Sequence, residues 1–290
     1  MNYDKDNKIW RVLGPLFAFL GIRLLVETLF YVVLWNVKIK GYETDATFNG
    51  ILYVEEYGKY VDSFSLYMNA VALLICIPIM YLLMKKDYEY PINLRHKERK
   101  FVFKDYIKTV DYKTFNYPMI LGITAALGVG RFITMLPIDG ILGNYKVIQK
   151  NIAGSSFLTQ LFVLGILTPV LEEMLFRGIV YKRLKGYYDV IVAAYIAAIV
   201  FAVAHFNLIQ GIYAFVVGIV LIYIYEKCNN LVVPIVMHSA ANIVSVVMGA
   251  NPISKFIDSH ILIRLVVSMV FIGGFVFTLL KVNEKYKEEE

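Results

Sequence analysis

Charge is scarce in this sequence. Only 18% of its 290 residues are Asp, Glu, Lys or Arg, where a soluble domain carries about 25%. A hydrophobic content of 59% and a mean hydropathy of +0.61 exclude an ordinary soluble globule and describe a polytopic membrane protein. Cysteine is nearly absent. Cys76 lies in an apolar run and Cys228 just beyond another, which excludes a disulfide framework and a zinc ribbon. No internal repeat is present, and no loop has the composition of a second domain. No cleavage site follows the opening Met1–Lys8, and the next apolar run is too long for a signal-peptide core, so it reads as a retained first span. The net charge of +6 does not point to nucleic acid, because the Lys and Arg residues crowd into particular loops.

What the chain has in quantity is long apolar runs. With about 20 residues per crossing, an all-α, polytopic membrane helix bundle of about eight transmembrane helices is expected. The spans fall near residues 9–35, 65–84, 117–136, 157–181, 190–206, 212–225, 231–248 and 262–280. Residues 1–290 read as a single integral membrane domain, with 157–249 as its motif-bearing core and 283–290 as a solvated tail. Lys and Arg placement sets the orientation. Lys85, Lys86, Arg95, Lys97, Arg99, Lys100, Lys104, Lys108 and Lys113 follow the second span. Lys5, Lys8 and Arg11 precede the first, and Lys182, Arg183 and Lys185 follow the fourth. The opposite loops offer little beyond Lys38, Lys40, Lys59, Lys146, Lys150 and Lys255. Both termini are therefore expected to be cytoplasmic. The segment 85–114 mixes Phe101, Phe103, Tyr106 and Ile107 with lysines, which suits either a surface-lying amphipathic stretch or an ordinary basic loop.

Most of the isolated polar residues read as structure. Arg23 and Glu27 stand four apart in the first span and are expected to pair. Arg131 lies near the outer end of its span and is expected to snorkel. Gly122, Gly128 and Gly130 suit close helix packing.

One stretch differs. Leu167-Thr-Pro-Val-Leu-Glu-Glu-Met-Leu-Phe-Arg-Gly178 puts Glu172, Glu173 and Arg177 in the middle of an apolar run. Each charge at that depth costs about 2.5–3.5 kcal/mol on insertion scales, so it marks a site by default. Glu173 and Arg177 share a helix face, whereas Glu172 points about 100° away. One carboxylate can be held by the arginine while its neighbour meets something else. Pro169 can kink this helix and leave carbonyls that need partners. Two further spans carry Phe201-Ala-Val-Ala-His205 and His238-Ser-Ala-Ala-Asn242. Only two of the four histidines fall in spans, and both belong to this set. Two carboxylates, two histidines and an amide on three helices imply one shared polar site.

Two chemistries fit that set. His205 and His238, with Asn242 as an oxygen ligand, suit a divalent metal, Zn²⁺ foremost, with a position left for water. Such an ion lowers the pKa of its water toward about 7, and a carboxylate outside its ligand sphere takes the proton. Without metal, Glu172 would be the base while His205, His238 and Asn242 donate hydrogen bonds to an oxyanion.

The motifs Glu172-Glu173-x-x-x-Arg177, Phe201-x-x-x-His205 and His238-x-x-x-Asn242, in this order, resemble the three signatures of the CPBP intramembrane protease family. That family includes the type II CAAX prenyl endopeptidases and the bacteriocin-processing and self-immunity proteins called Abi. The resemblance covers residues 157–249. It implies an eight-helix fold and peptide-bond hydrolysis within the membrane; cleavage near the cytoplasmic membrane face is the leading expectation. It also implies that Glu172 activates water, that His205, His238 and Asn242 bind metal or the oxyanion, and that Glu173 and Arg177 organise the site. The substrate would be a peptide or a lipidated or otherwise membrane-anchored protein within the lipid bilayer, the plasma membrane if the source is bacterial. A non-catalytic peptide-binding immunity or regulatory protein is the alternative. A proton- or cation-coupled transporter would show paired broken helices in both halves, and here the polar residues all lie in one.

His205 strains this reading. At about 1.5 Å per residue, Glu172 lies roughly 15 Å from Lys182, but His205 lies roughly 24 Å from Asp189. Tilted helices and a recessed turn around Asn207–Gly211 are expected to bring it back.

Overall fold

The computed structural model describes residues 7–42, 50–89, 112–135 and 154–287. Helices account for nearly all of them, and no strand occurs among the described residues. In chain order they are α1 (Lys8–Tyr42), α2 (Gly50–Glu89), α3 (116–133), α4 (157–185) and α5 (Val190–Val203). They continue as α6 (Leu208–Cys228), α7 (Val232–Ala250), the short α8 (Pro252–Ser259) and α9 (Ile261–Lys287). Each of the eight expected spans falls on one of α1–α7 or α9. The bundle is all-α. Five stretches, Lys8–Val37, Ser63–Tyr88, Leu208–Cys228, Val232–Ala250 and Ile261–Lys285, are long and apolar enough to cross a membrane. Most of segment 85–114 lies outside the described residues. So do Lys5, Lys146, Lys150, the side chains of Lys38, Lys40 and Lys59, and the last residues of the tail.

Capping side chains mark where helices start. Asp189 accepts from the backbone N–H of Ile191 and Val192 at the head of α5, each at 3.0 Å. Asn207 does the same for Gln210 N–H at α6, at 3.1 Å. Each bond satisfies a donor that the first helical turn leaves free. At its other end α6 stops on left-handed Asn229 (φ 46°), a usual helix terminator.

Two large apolar cores, and a small one around Ile133 and Ile209, fill the bundle. One surrounds α4 with Leu66, Leu73, Cys76 and Met80 of α2 and Phe201 of α5. The other joins α3, α6, α7 and α9 through Leu121, Leu221, Met237 and Phe275. The small side of α3 makes the second possible. A Cβ on Gly122 would collide with the Met237 carbonyl, and one on Gly128 would lie 2.7 Å from Ile272 N. The expected close packing is present.

Ion pairs clamp both ends. Arg183 of α4 grips Asp87 of α2 at 2.6 and 3.1 Å and also donates to the Arg11 carbonyl of α1. Arg23 and Glu27 pair as expected, at 2.9 Å. Arg131 does not snorkel. Its guanidinium is buried, 3.1 Å from Asp258 and 2.5 Å from Ser254 Oγ. Arg264 of α9 leans on the same aspartate. A local carboxylate replaces water as the partner.

Candidate active site

The polar site is built on α4, which is not a uniform helix. It alternates α-helical Phe157–Phe162, π-helical Val163–Leu167, α-helical Thr168–Glu173, π-helical Met174–Tyr181 and α-helical Lys182–Lys185. Such wide turns concentrate at functional sites. The adjacent carboxylates lie at the junction of the last α-helical turn and the second π segment.

They divide the work as their helical angle requires. Glu173 is fully buried. Its Oε1 accepts from Arg177 Nη1 at 2.7 Å and from His238 Nδ1 at 2.8 Å. Arg177, also buried, sends Nη2 to the Gly218 carbonyl at 3.1 Å. The other carboxylate makes no ion pair with the arginine. Glu172 keeps a fifth of its side chain exposed, and its Oε2 lies 3.6 Å from His238 Nε2. Because Arg177 neutralises Glu173 and the histidines are neutral when unprotonated, the group retains one surplus negative charge, on Glu172. That charge suits a base or a cation's partner.

Hydrogen bonds also set the histidine tautomers. His205 Nδ1 lies 2.8 Å from the Phe201 carbonyl, which only accepts. Neutral His205 therefore carries its proton on Nδ1 and presents a lone pair at Nε2. His238 Nδ1 faces the Glu173 carboxylate in the same way, leaving the Nε2 lone pair toward Glu172. In this tautomer each neutral ring offers Nε2 as an acceptor.

His205 joins the group through a shared ring. The turn after α5 holds it, and the next residue, Phe206, adopts φ 50°, a strained conformation for a bulky side chain that is typical of functional loops. His205 packs edge-on against Phe201, centroids 4.8 Å apart. His238 meets the same ring at 6.0 Å, and the Arg177 guanidinium covers it at 4.4 Å. Phe201 is thus the hub on which three of the polar groups rest. In the sequence it is a motif letter with no evident task. Gly218 was missed altogether. Its carbonyl holds Arg177, and a Cβ there would sit 3.2 Å from Phe201 and 3.5 Å from Arg177 Nη2. Nothing in the local sequence of α6 distinguishes it.

Asn242 lies one turn beyond His238 on α7, but its amide does not join the carboxylates. Nδ2 donates to the Leu164 carbonyl of α4 at 2.9 Å. For a divalent ion the donor types fit, since the two Nε2 lone pairs and the Glu172 carboxylate are what zinc takes. Glu173 behind His238 Nδ1–H is the usual outer partner of a metal-bound imidazole. The grouping is looser: among the described residues no three His, Cys, Asp or Glu side chains converge as metal ligands do.

Residues 154–244 match the family described as "Type II CAAX prenyl endopeptidase Rce1-like", a segment that contains all three motifs and bears out the resemblance read from them. The chain is 23% identical over 152 residues to "Putative membrane peptidase YdiL" of Bacillus subtilis (strain 168), covering 48% of this chain and 62% of that protein. It is 28% identical over 87 residues to "UPF0177 protein YxdF" of Lactococcus lactis subsp. lactis (strain IL1403), covering 30% of this chain and 48% of that one. The matches therefore span 62% and 48% of those relatives' lengths. No solved structure matches. With its long apolar helices and this family segment, the chain is an integral, multi-pass membrane protein.

Proposed function

We propose that this Rce1-like membrane protein is an intramembrane endopeptidase in which Glu172 activates water to split a peptide bond. The observation that carries the reading is the unequal pair of carboxylates. Glu173 is locked between Arg177 and His238, while Glu172 is partly open and unclaimed by any arginine. A buried carboxylate tied by charged partners is a poor base; an open one with surplus charge is a good one.

The reaction balances on those groups. Glu172 takes a proton from water as its oxygen adds to the scissile carbonyl carbon. The protonated carboxyl then gives that proton to the leaving amine as the C–N bond breaks. His238 Nε2, beside Glu172 Oε2, can accept a hydrogen bond from the protonated carboxyl and steady it between the two steps. A zinc ion would be held by Nε2 of His205 and His238, and when bound it would polarise the carbonyl. Glu173 and Arg177 act as positioners that set the tautomer and angle of His238, and Phe201 supports both imidazoles.

A substrate anchored in the bilayer by a lipid or by its own apolar segment would reach Glu172 from within the membrane. The test is release of a labelled membrane-anchored peptide in liposomes by the wild type and by Glu172→Gln. Loss of about 10²–10⁴-fold is expected, the range of general-base catalysis. Cleavage unchanged by the substitution would leave a peptide-binding immunity or regulatory role instead.

A further inference from the structure

We infer that α8 is a membrane-interface helix, docked at the bilayer boundary where α7 ends. Its occupant is phospholipid, with acyl chains against Ile253 and Phe256 and a phosphate at Lys255. The inference stands on residues outside the catalytic group and does not need the hydrolysis proposed above.

The helix runs Pro252–Ser259, and at about 100° per residue its side chains fall on three edges. The first edge faces the bundle. Ser254 is buried and accepts from Arg131 Nη2 of α3 at 2.5 Å. Asp258, four residues on, lies 3.1 Å from Arg131 Nε and 3.6 Å from Arg264 Nε of α9. These contacts set the rotation of α8 and so fix what its other edges present. The second edge holds Ile253 and Phe256, about 60° apart and 69% and 56% exposed. The third holds Lys255 and Ser259, about 40° apart and also exposed. Among the described residues no acceptor meets Lys255 Nζ.

A connection lying wholly in water would turn its apolar edge inward. Here the apolar edge points away from the bundle and away from the exposed polar edge as well. A helix at the membrane boundary has three surroundings, protein, lipid and water, and needs this division. The apolar edge also continues a lipid-facing surface. Exposed Ile261 and Leu262 open α9, and Val266, Met269 and Val270 remain exposed along a helix long and apolar enough to cross the membrane. Charge agrees. Arg131 and Arg264 against Asp258 leave one positive charge beneath α8, and Lys255 adds a second. Phosphate is the anion that a bilayer boundary supplies, and a lysine stem lies along apolar surface while its ammonium reaches that level. Only Asn251 separates α7 from α8, so the depth of α8 sets that of His238, about 18 Å back along α7.

The test uses the full chain in vesicles of phosphatidylglycerol and phosphatidylcholine, with a polarity-sensitive fluorophore on one introduced cysteine at a time. Cys76 is fully buried and stays; Cys228→Ser removes the other thiol. Labels on Ile253→Cys and Phe256→Cys should be quenched about threefold more by a nitroxide high on the lipid chain than by aqueous acrylamide. Labels on Lys255→Cys and Ser259→Cys should show the reverse order. Acrylamide dominating in all four proteins would overturn the docking and make α8 a water-exposed link. Shielding of Ile253→Cys and Phe256→Cys from both quenchers would overturn it too, by placing protein, a second copy included, on that edge. With the label on Phe256→Cys, adding Lys255→Glu should raise acrylamide quenching about twofold, whereas Lys255→Arg should leave it unchanged. Equal quenching with Lys, Glu and Arg at that position would overturn the phosphate contact.

Discussion

Arg177 lies flat over Phe201, its guanidinium carbon 4.4 Å from the ring centroid, and the same ring meets both site histidines and Phe176 edge-on. A buried arginine needs more than one carboxylate to offset its desolvation, and the aromatic face supplies part of the difference. Phe201→Leu should therefore keep the apolar volume but release three polar groups together. The expected result is a tenfold or greater fall in peptide cleavage, with Phe201→Tyr losing less. A full-activity Phe201→Leu enzyme would show that the ring is filler.

The two glutamates predict opposite phenotypes. Glu173→Gln removes the carboxylate that pairs with Arg177 in the interior, where breaking one half of a buried pair costs about 3–5 kcal/mol. Its Tm should fall steeply, and activity should follow the folded fraction. Glu172→Gln touches no ion pair with an arginine, so its Tm should hold while cleavage disappears. Measuring Tm and turnover on both proteins checks this; equal Tm losses would mean that the two carboxylates share one structural role.

Much of this is legible in the sequence. The four-residue offset of Glu173 and Arg177 placed them on one face, and their 2.7 Å contact follows. The same periodicity sent Glu172 elsewhere. Hydropathy located every helix that carries a motif. What escaped were facts that depend on register. No residue in Val163–Leu167 announces a π turn, so straight-helix depth counting had no means of finding Leu164 O or of assigning Asn242 to it. Arg131 looked ready to snorkel because Asp258, its partner, is 127 positions away in sequence and belongs to a helix too short for a span. His205 looks stranded on straight helices; the turn that carries it falls at residues 204–207, just ahead of the one expected around Asn207–Gly211.

Gly218 offers a graded probe of the same hub. A methyl group at this position would press on Phe201 at 3.2 Å and stand 3.5 Å from Arg177 Nη2, so Phe201 must shift by a few tenths of an ångström. Gly218→Ala should lower kcat several-fold with little change in Tm, and Gly218→Val should lower both, since overpacking costs about 1–3 kcal/mol. Equal activity in all three proteins would show that the hub tolerates displacement.

Metal dependence is decided by the histidines' free nitrogens. If zinc assists, it binds at Nε2 of His205 and His238, since Nδ1 of each is occupied by an oxygen acceptor. Purified wild-type protein should then carry close to one metal per chain, and His238→Ala and His205→Ala should each lose it while keeping the helical far-UV spectrum. Cleavage should fall on chelation and return with added Zn²⁺. Metal content indifferent to both substitutions, with chelator-resistant cleavage, would assign the two lone pairs to protons instead. Glu172 and His238 would then share the water's proton between them.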